Sequence, residues 1–266
     1  MEELMRCDSC QEDAAALFEW SYEAGLVGNE TKSTFEDNLC VVPFITCVRL
    51  SEALADGGPR EGYILALTAD RRHMEVSDVP LILQQRGRNA LVFSASFNRL
   101  RHLVCFLADE MPIQGSLDDD IAKVTSLRVI DLSGVDGMTG PLPTTIGQLP
   151  YLKGLYIVDL LSGPIPSSLA NLSRLEALEL IRTDLSGPIP EDIGRLHRLR
   201  ILTMSDNKRM EGPFPASITH CRNLTHLVLE ATGLTGPLPG DLGSLSRLVA
   251  LELPSNRLTG ELPWYS

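Results

Sequence analysis

Leucines return about every two dozen residues from Leu103 to the end of the sequence, and no other property narrows the fold so far. Written as L-x-x-L-x-L-x-x-N-x-L-x-G-x-[IL]-P, the pattern starts at Leu103, Leu127, Leu152, Leu175, Leu199, Leu224 and Leu248, in steps of 24, 25, 23, 24, 25 and 24 residues. A unit this short cannot bury its own apolar face, so it folds by stacking on its neighbours, and the period predicts a solenoid. The first, fourth and sixth positions point inward because strand side chains alternate, and the Gly and Pro at the end of the motif turn the chain toward the convex side. The clearest copies run from Leu175, Leu224 and Leu248.

The expected fold is therefore an α/β leucine-rich-repeat right-handed solenoid, with a curved parallel sheet on the concave face and 3-10 or short helices on the convex face. The Asn position, where an amide satisfies backbone groups in the turn, holds Asn207 and Asn256, with the hydroxyls of Thr183 and Thr232 substituting elsewhere. Met111 and Val135 interrupt this ladder, which predicts a less regular N-terminal half. Residues 10–25 read as an amphipathic helix beginning near Asp13 and ending at Gly25. The run Ile64, Leu65, Leu67 reads as a first strand in repeat register. Gly62 and Leu103, equivalent positions, are 41 residues apart, about 17 more than one repeat, which predicts an insertion. The expected organisation is a cap over 1–61, an irregular first repeat over 62–102 and regular repeats over 103–266. Leu251, Leu253, Leu258 and Leu262 lead straight into Trp264-Tyr265-Ser266, so a further capping element is expected after them.

With 23 Lys+Arg against 35 Asp+Glu, the net charge of -12 disfavours nucleic acid and anionic membrane as partners. No apolar run approaches the roughly 18 residues of a membrane span, and the opening lacks the apolar core of a secretory signal. Asn29, Asn171 and Asn223 stand in Asn-x-Ser/Thr acceptors for glycosylation. The five histidines show no metal-ligand spacing, and neither G-x-S-x-G nor a phosphate-binding glycine loop occurs. No catalytic residue, metal site or cofactor is expected. Asp118-Asp119-Asp120 reads as a solvated turn at a convex helix start, where replacement should change nothing.

Five copies of the motif's end, Gly140-Pro-Leu-Pro143, Gly163-Pro-Ile-Pro166, Gly187-Pro-Ile-Pro190, Gly236-Pro-Leu-Pro239 and Gly260-Glu-Leu-Pro263, resemble the plant-type subclass of leucine-rich repeats. The Asp13–Phe18 segment and the Cys40/Cys47 spacing are similar to the N-terminal cap of those proteins, although Val42 and Phe44 stand where Trp and Gly are usual. Within the subclass the chain resembles receptor-like proteins, receptor-like kinase ectodomains and polygalacturonase-inhibiting proteins. The resemblance implies a Cys40–Cys47 cap disulfide and non-enzymatic protein or peptide recognition outside the cell, in defence or developmental signalling. Its alternative is a soluble inhibitor of a secreted microbial enzyme.

Of the other cysteines, Cys7-x-x-Cys10 fits a redox pair or half a zinc site, but no second C-x-x-C completes it. Cys105 and Cys221 lie five repeats apart, about 24 Å at a strand spacing of about 4.8 Å, so both are expected to be free thiols. Register assigns the concave face. It carries Asp109, Glu110, Asp131, Asp159, Glu179, Asp206, Glu230 and Glu252 against one strong base, Arg182, with Leu107, Tyr156, Ile181 and Val228 as apolar surface. The expected partner is a basic protein or peptide. Asp159, Glu179 and Asp206 are expected to stack as like charges across three neighbouring strands.

Overall fold

A computed structural model describes residues 45–50, 62–68, 91–92, 103–109, 113–133, 135 and 137–262. The expected helix over 10–25, Asn29, Cys7, Cys10, Cys40 and Glu110 lie outside the described residues, as do the side chains of Cys47, Cys105, Leu107 and Asp109.

One nine-stranded sheet lines the concave face. In chain order its strands are β1 (Ile45–Leu50), β2 (Gly62–Thr68), β3 (Leu103–Asp109), β4 (Val129–Leu132), β5 (Gly154–Val158), β6 (Ala177–Ile181), β7 (Ile201–Thr203), β8 (His226–Val228) and β9 (Ala250–Glu252). β1 runs antiparallel to β2, and every later pairing is parallel. The third position of each repeat stands in one row, Cys105, Val129, Gly154, Ala177, Ile201, His226 and Ala250, so the 23- to 25-residue steps are absorbed in the turns and never in the sheet. β2 pairs directly with β3, Ile64 against Cys105, so the two are neighbours in the sheet among the described residues.

The leucine rows form the core. Leu127, Ile130 and Leu132, Leu152, Leu155 and Ile157, Leu175, Leu178 and Leu180, Leu199, Leu202 and Met204, and Leu224, Leu227 and Leu229 are all buried. Each such side chain contributes about 1.5–3 kcal/mol by leaving water. Leu248, Leu251 and Leu253 of the last repeat are partly buried. Beyond the sheet, the G-x-[IL]-P segments add short parallel strands, Ser162–Pro164 beside Asp184–Gly187 beside Arg209–Met210, and Gly212–Pro213 beside Leu234–Pro237 beside Arg257–Thr259. Gly187 (φ 72) and Gly236 (φ 77) occupy the left-handed region, where a Cβ would be strained.

The last proline of each motif starts the convex turn. The amides of Ile146, Leu169, Ile193, Ile218 and Leu242 donate to the carbonyls of Pro143, Pro166, Pro190, Pro215 and Pro239 at 3.0–3.2 Å. A proline there needs no N–H of its own, and its fixed φ suits the entry. The turns are 3-10 helices, Asp119–Lys123, Ile146–Gln148, Ser167–Asn171, Glu191–Arg195, Ala216–His220 and Leu242–Ser244.

Asp118 and Asp119 are exposed at the start of a convex 3-10 helix, as the register placed them, and the three aspartates also make structural bonds. Asp118 accepts from the amide of Asp120 (3.0 Å) and so caps its own helix, and Asp120 pairs with Lys123 (2.7 Å). Asp119 reaches the following repeat, accepting from the Thr145 amide (3.3 Å) and hydroxyl (3.1 Å). Glu191 repeats this contact on the amides of Ala216 (3.1 Å) and Ser217 (3.2 Å). These carboxylates satisfy helix-start amides one repeat on.

The Asn ladder also links repeats. The Asn207 carbonyl accepts from the Thr183 amide (3.0 Å) and hydroxyl, and its amide donates to the Leu180 (2.8 Å) and Ser205 (3.3 Å) carbonyls. Asn256 does the same for the Thr232 amide (3.1 Å), the Thr232 hydroxyl (3.1 Å), the Leu234 amide (3.1 Å) and the Leu229 carbonyl. At the same position Val135 and Leu160 are buried and apolar, so this polar ladder spans the repeats from Thr183 onward.

Cys221 is a buried free thiol within 3.4 Å of the Ile193 carbonyl. Burial pushes its pKa up to about 12. At neutral pH, alkylating reagent should leave Cys221 unmodified in native protein and modify it in denaturant, as peptide mass mapping will read.

Candidate functional site

Two rows of polar side chains cross the concave sheet, and the strand register fixes which residues share each. The fifth position of successive repeats gives Asp131, Tyr156, Glu179, Thr203, Val228 and Glu252. Asp131 and Glu179 therefore flank Tyr156, one strand to either side, at about 4.8 Å per strand. Thr203 and Val228 separate Glu179 from Glu252, so the acidic stripe is concentrated over β4 to β6.

Tyr156 lies down on the sheet because Gly154 precedes it by two residues on the same face. A Cβ built on Gly154 would stand 2.6 Å from Cε2 and 3.2 Å from the hydroxyl of Tyr156. The missing side chain is the space the ring fills. The ring thus presents a half-buried platform with a carboxylate on each flank. Burial first, then the charges of Glu179, Asp131 and Glu176, hold the Tyr156 phenol above its ordinary pKa, so it stays a protonated donor. Burial first, and the Asp131 charge second, hold Glu179 above the usual carboxylate range. Asp131 itself accepts from the Ser133 amide at 3.0 Å, which fixes its carboxylate at the strand end.

The second row is the eighth position, one to three residues past the ends of β5 to β9, where the residue has positive φ: Asp159 (66), Arg182 (50), Asp206 (57), Ala231 (51) and Ser255 (59). Arg182 and Asp159 form a bidentate pair, Nε to Oδ1 at 2.9 Å and NH2 to Oδ2 at 3.0 Å. The expected stack of Asp159, Glu179 and Asp206 does not exist. The eighth row has Arg182 between the two aspartates, and Glu179 belongs to the fifth row. Arg182 is exposed and already holds Asp159, so the concave face offers no uncommitted guanidinium at that point. Glu230 stands at the seventh position, half-buried, and Glu252 is exposed on β9.

The remaining sequence-assigned residues scatter. Asn171 is exposed at the end of a convex helix, whereas the Asn223 amide donates to the His197 carbonyl (2.7 Å) and its oxygen accepts from Arg247 (2.8 Å). Among the described residues there is no group of three or more His, Cys, Asp or Glu placed to hold a metal ion, and no helix long and apolar enough to cross a membrane.

No protein-family model and no curated protein matches the sequence. Solved structures do. The Arabidopsis receptor kinase HAESA, in complex with the peptide hormone IDA and the co-receptor SERK1, matches at a TM-score of 0.68 and 26% identity, covering 95% of this chain and 39% of that one. The ectodomain of the Arabidopsis thaliana membrane receptor kinase GASSHO1/SCHENGEN3, in complex with CASPARIAN STRIP INTEGRITY FACTOR 2, matches at 0.58 and 28%, covering 64% of this chain and 20% of that one. The plant peptide hormone receptor RGFR1, in complex with RGF2, matches at 0.53 and 26%, covering 65% and 32%. The chain thus spans well under half the length of these three.

Proposed function

Because the chain is a plant-type leucine-rich-repeat protein, we propose that it is a non-enzymatic recognition module acting outside the cell, which holds a cationic segment of a protein or peptide on its concave face. The observation that carries this reading is the Tyr156 platform. A ring lying on the sheet with Asp131 and Glu179 beside it suits a lysine or arginine side chain, which gains the face of the ring and two carboxylates at once. Likeness to plant peptide-hormone receptors supports a peptide over a small molecule. Arg182 serves to hold Asp159 and keep the rim of the sheet in shape, not to bind the ligand.

The test uses arginine- and lysine-rich peptides titrated by fluorescence anisotropy at low and high salt. Tyr156→Ala should weaken binding roughly tenfold, the loss expected for a partly desolvated cation over an aromatic ring. Glu179→Gln should weaken it similarly while leaving stability equal or slightly higher at neutral pH. The sign follows from the raised folded pKa: the folded state favours the protonated carboxyl, so ionised Glu179 opposes folding once pH rises through its folded pKa, and a neutral amide removes that opposition. Asp118→Asn with Asp120→Asn on the convex side should leave binding unchanged. If those convex changes abolish binding and Tyr156→Ala does not, the concave reading is wrong.

A further inference from the structure

The fifth-position row changes character along the solenoid. Its acids stand toward the two ends, Asp131 and Glu179 on either side of Tyr156, and Glu252 on β9. Between Glu179 and Glu252 the register places Thr203 on β7 and Val228 on β8, both uncharged and half-buried. Ile201, two residues before Thr203 on the same face, is half-buried as well. Glu230 follows Val228 by two residues, with Leu229 fully buried between them, so it joins Glu252 at the far end. None of Asp131, Glu179, Glu230 and Glu252 pairs with a base among the described residues, whereas Asp159 and Glu176 beside them are held by Arg182 and Lys153. His226 stands to one side, at the third position, against the Thr225 hydroxyl (2.9 Å). The concave face thus has two open acidic poles and a neutral waist.

We infer that the two poles read a pair of cationic side chains six residues apart in one extended segment, with an apolar side chain two residues short of the cation that meets Glu252. The inference rests on the reading of Tyr156 as a cation platform and adds to it a second anchor and a spacing. The lengths follow from strand geometry. Tyr156 and Glu252 are four strand steps apart, about 19 Å at about 4.8 Å per step. Side chains on one side of an extended chain recur about every 6.6 Å, so three intervals cover about 20 Å. The second interval ends about 13 Å from the platform, and Val228 lies three strand steps away, about 14 Å. An apolar side chain meets apolar surface there, whereas a cation would give up water for no partner. A fourth interval, about 26 Å, passes beyond β9, the last strand of the described sheet. The position of the apolar residue fixes which end of the segment meets Tyr156. An evenly basic chain gains less from this face than one with a neutral middle.

Three fluorescent peptides of equal length, titrated by anisotropy against the full chain at low salt, provide the test. The first carries two arginines six apart with a valine two residues before the second, the next has the same composition with the arginines four apart, and the last has a single arginine. The first should bind wild type about three- to fivefold more tightly than either of the others, the gain of one exposed charge contact. Glu230→Gln with Glu252→Gln should remove that advantage, leave the single-arginine peptide unaffected and, Glu252 being exposed, keep the melting curve. Adding Val228→Glu to that pair should move the preference to arginines four apart. Equal binding of the first two peptides to wild type, an advantage that survives loss of both glutamates, or a preference that does not move each overturns the inference. Tyr156→Ala tells the two readings apart: if it weakens all three peptides while wild type binds the first two equally, only the paired-cation inference falls, and if it weakens none, the platform falls with it. Should the Val228→Glu protein melt early, exchanging the peptide's second arginine for glutamate replaces it. That peptide should bind wild type more weakly than the single-arginine one, and equal or tighter binding overturns the inference.

Discussion

Asn207→Ala should cost the protein about 3 kcal/mol of stability, because the truncated side chain leaves buried partners behind on two repeats and each unsatisfied group costs about 1–3 kcal/mol. The amide of Thr183 loses its acceptor, and the Leu180 carbonyl loses its donor, in a place where Asn207 and its surroundings exclude water completely. The melting temperature should fall by roughly 6–12 °C for a chain of this size. Thr183→Val is the informative companion. It removes the hydroxyl but leaves the Thr183 amide on the Asn207 carbonyl, so its cost should be nearer about 1 kcal/mol, and the double variant should cost less than the sum. Chemical denaturation of the four proteins measures all of this. An Asn207→Ala protein within about 0.5 kcal/mol of wild type would show that the ladder is decoration on an already sufficient leucine core.

Gly147→Ala should destabilise by about 2–3 kcal/mol, the upper part of the range for forcing extra volume into a packed core. A Cβ at Gly147 would lie 2.0 Å from the Ser168 carbonyl oxygen and 2.7 Å from its carbon, both backbone atoms of the next convex turn. Ser168 cannot swing away cheaply, since its hydroxyl donates to the Thr144 carbonyl at 2.6 Å. Gly194 faces Ser217 in the same way, with 2.3 Å to its carbonyl oxygen. Glycine is not required at this motif position as such: Ala170 and Thr219 occupy it in other repeats and are buried there. The requirement comes from how closely the backbone of the next convex turn approaches. In the last described repeat Gly243 holds the same position with nothing within 4 Å. Gly243→Ala should therefore be neutral or stabilising by up to about 1 kcal/mol, through the unfolded state. Thermal melts of the two variants side by side decide the matter, and equal effects would refute the close-approach account.

The period of the leucines located every strand from β3 onward, because the first leucine precedes the third-position row by two residues in all seven repeats. Hydrophobic burial has a fixed period, so it is readable from one sequence. Side-chain pairing across repeats is less so. Asp159, Glu179 and Asp206 come from consecutive repeats, but only position within the repeat decides which of them are neighbours, and Glu179 sits three places earlier than the aspartates. The missing signal for the Tyr156 platform was Gly154, a glycine inside a strand, which marks a close approach. For Asp119 it was the 26-residue separation from Thr145, one repeat with its offset, a reach visible once convex positions are aligned as carefully as strand positions.

The polar ladder has a mechanical consequence. From Thr183 to Asn256 this position adds directional side-chain bonds to the sheet pairing that joins neighbouring coils, whereas at Val135 and Leu160 the same position adds only dispersion contacts. The side-chain clamp at this position is therefore absent from the coils that carry Asp131 and Tyr156. Hydrogen exchange should accordingly show earlier opening at the turns near Val135 and Leu160 than at those near Asn207 and Asn256.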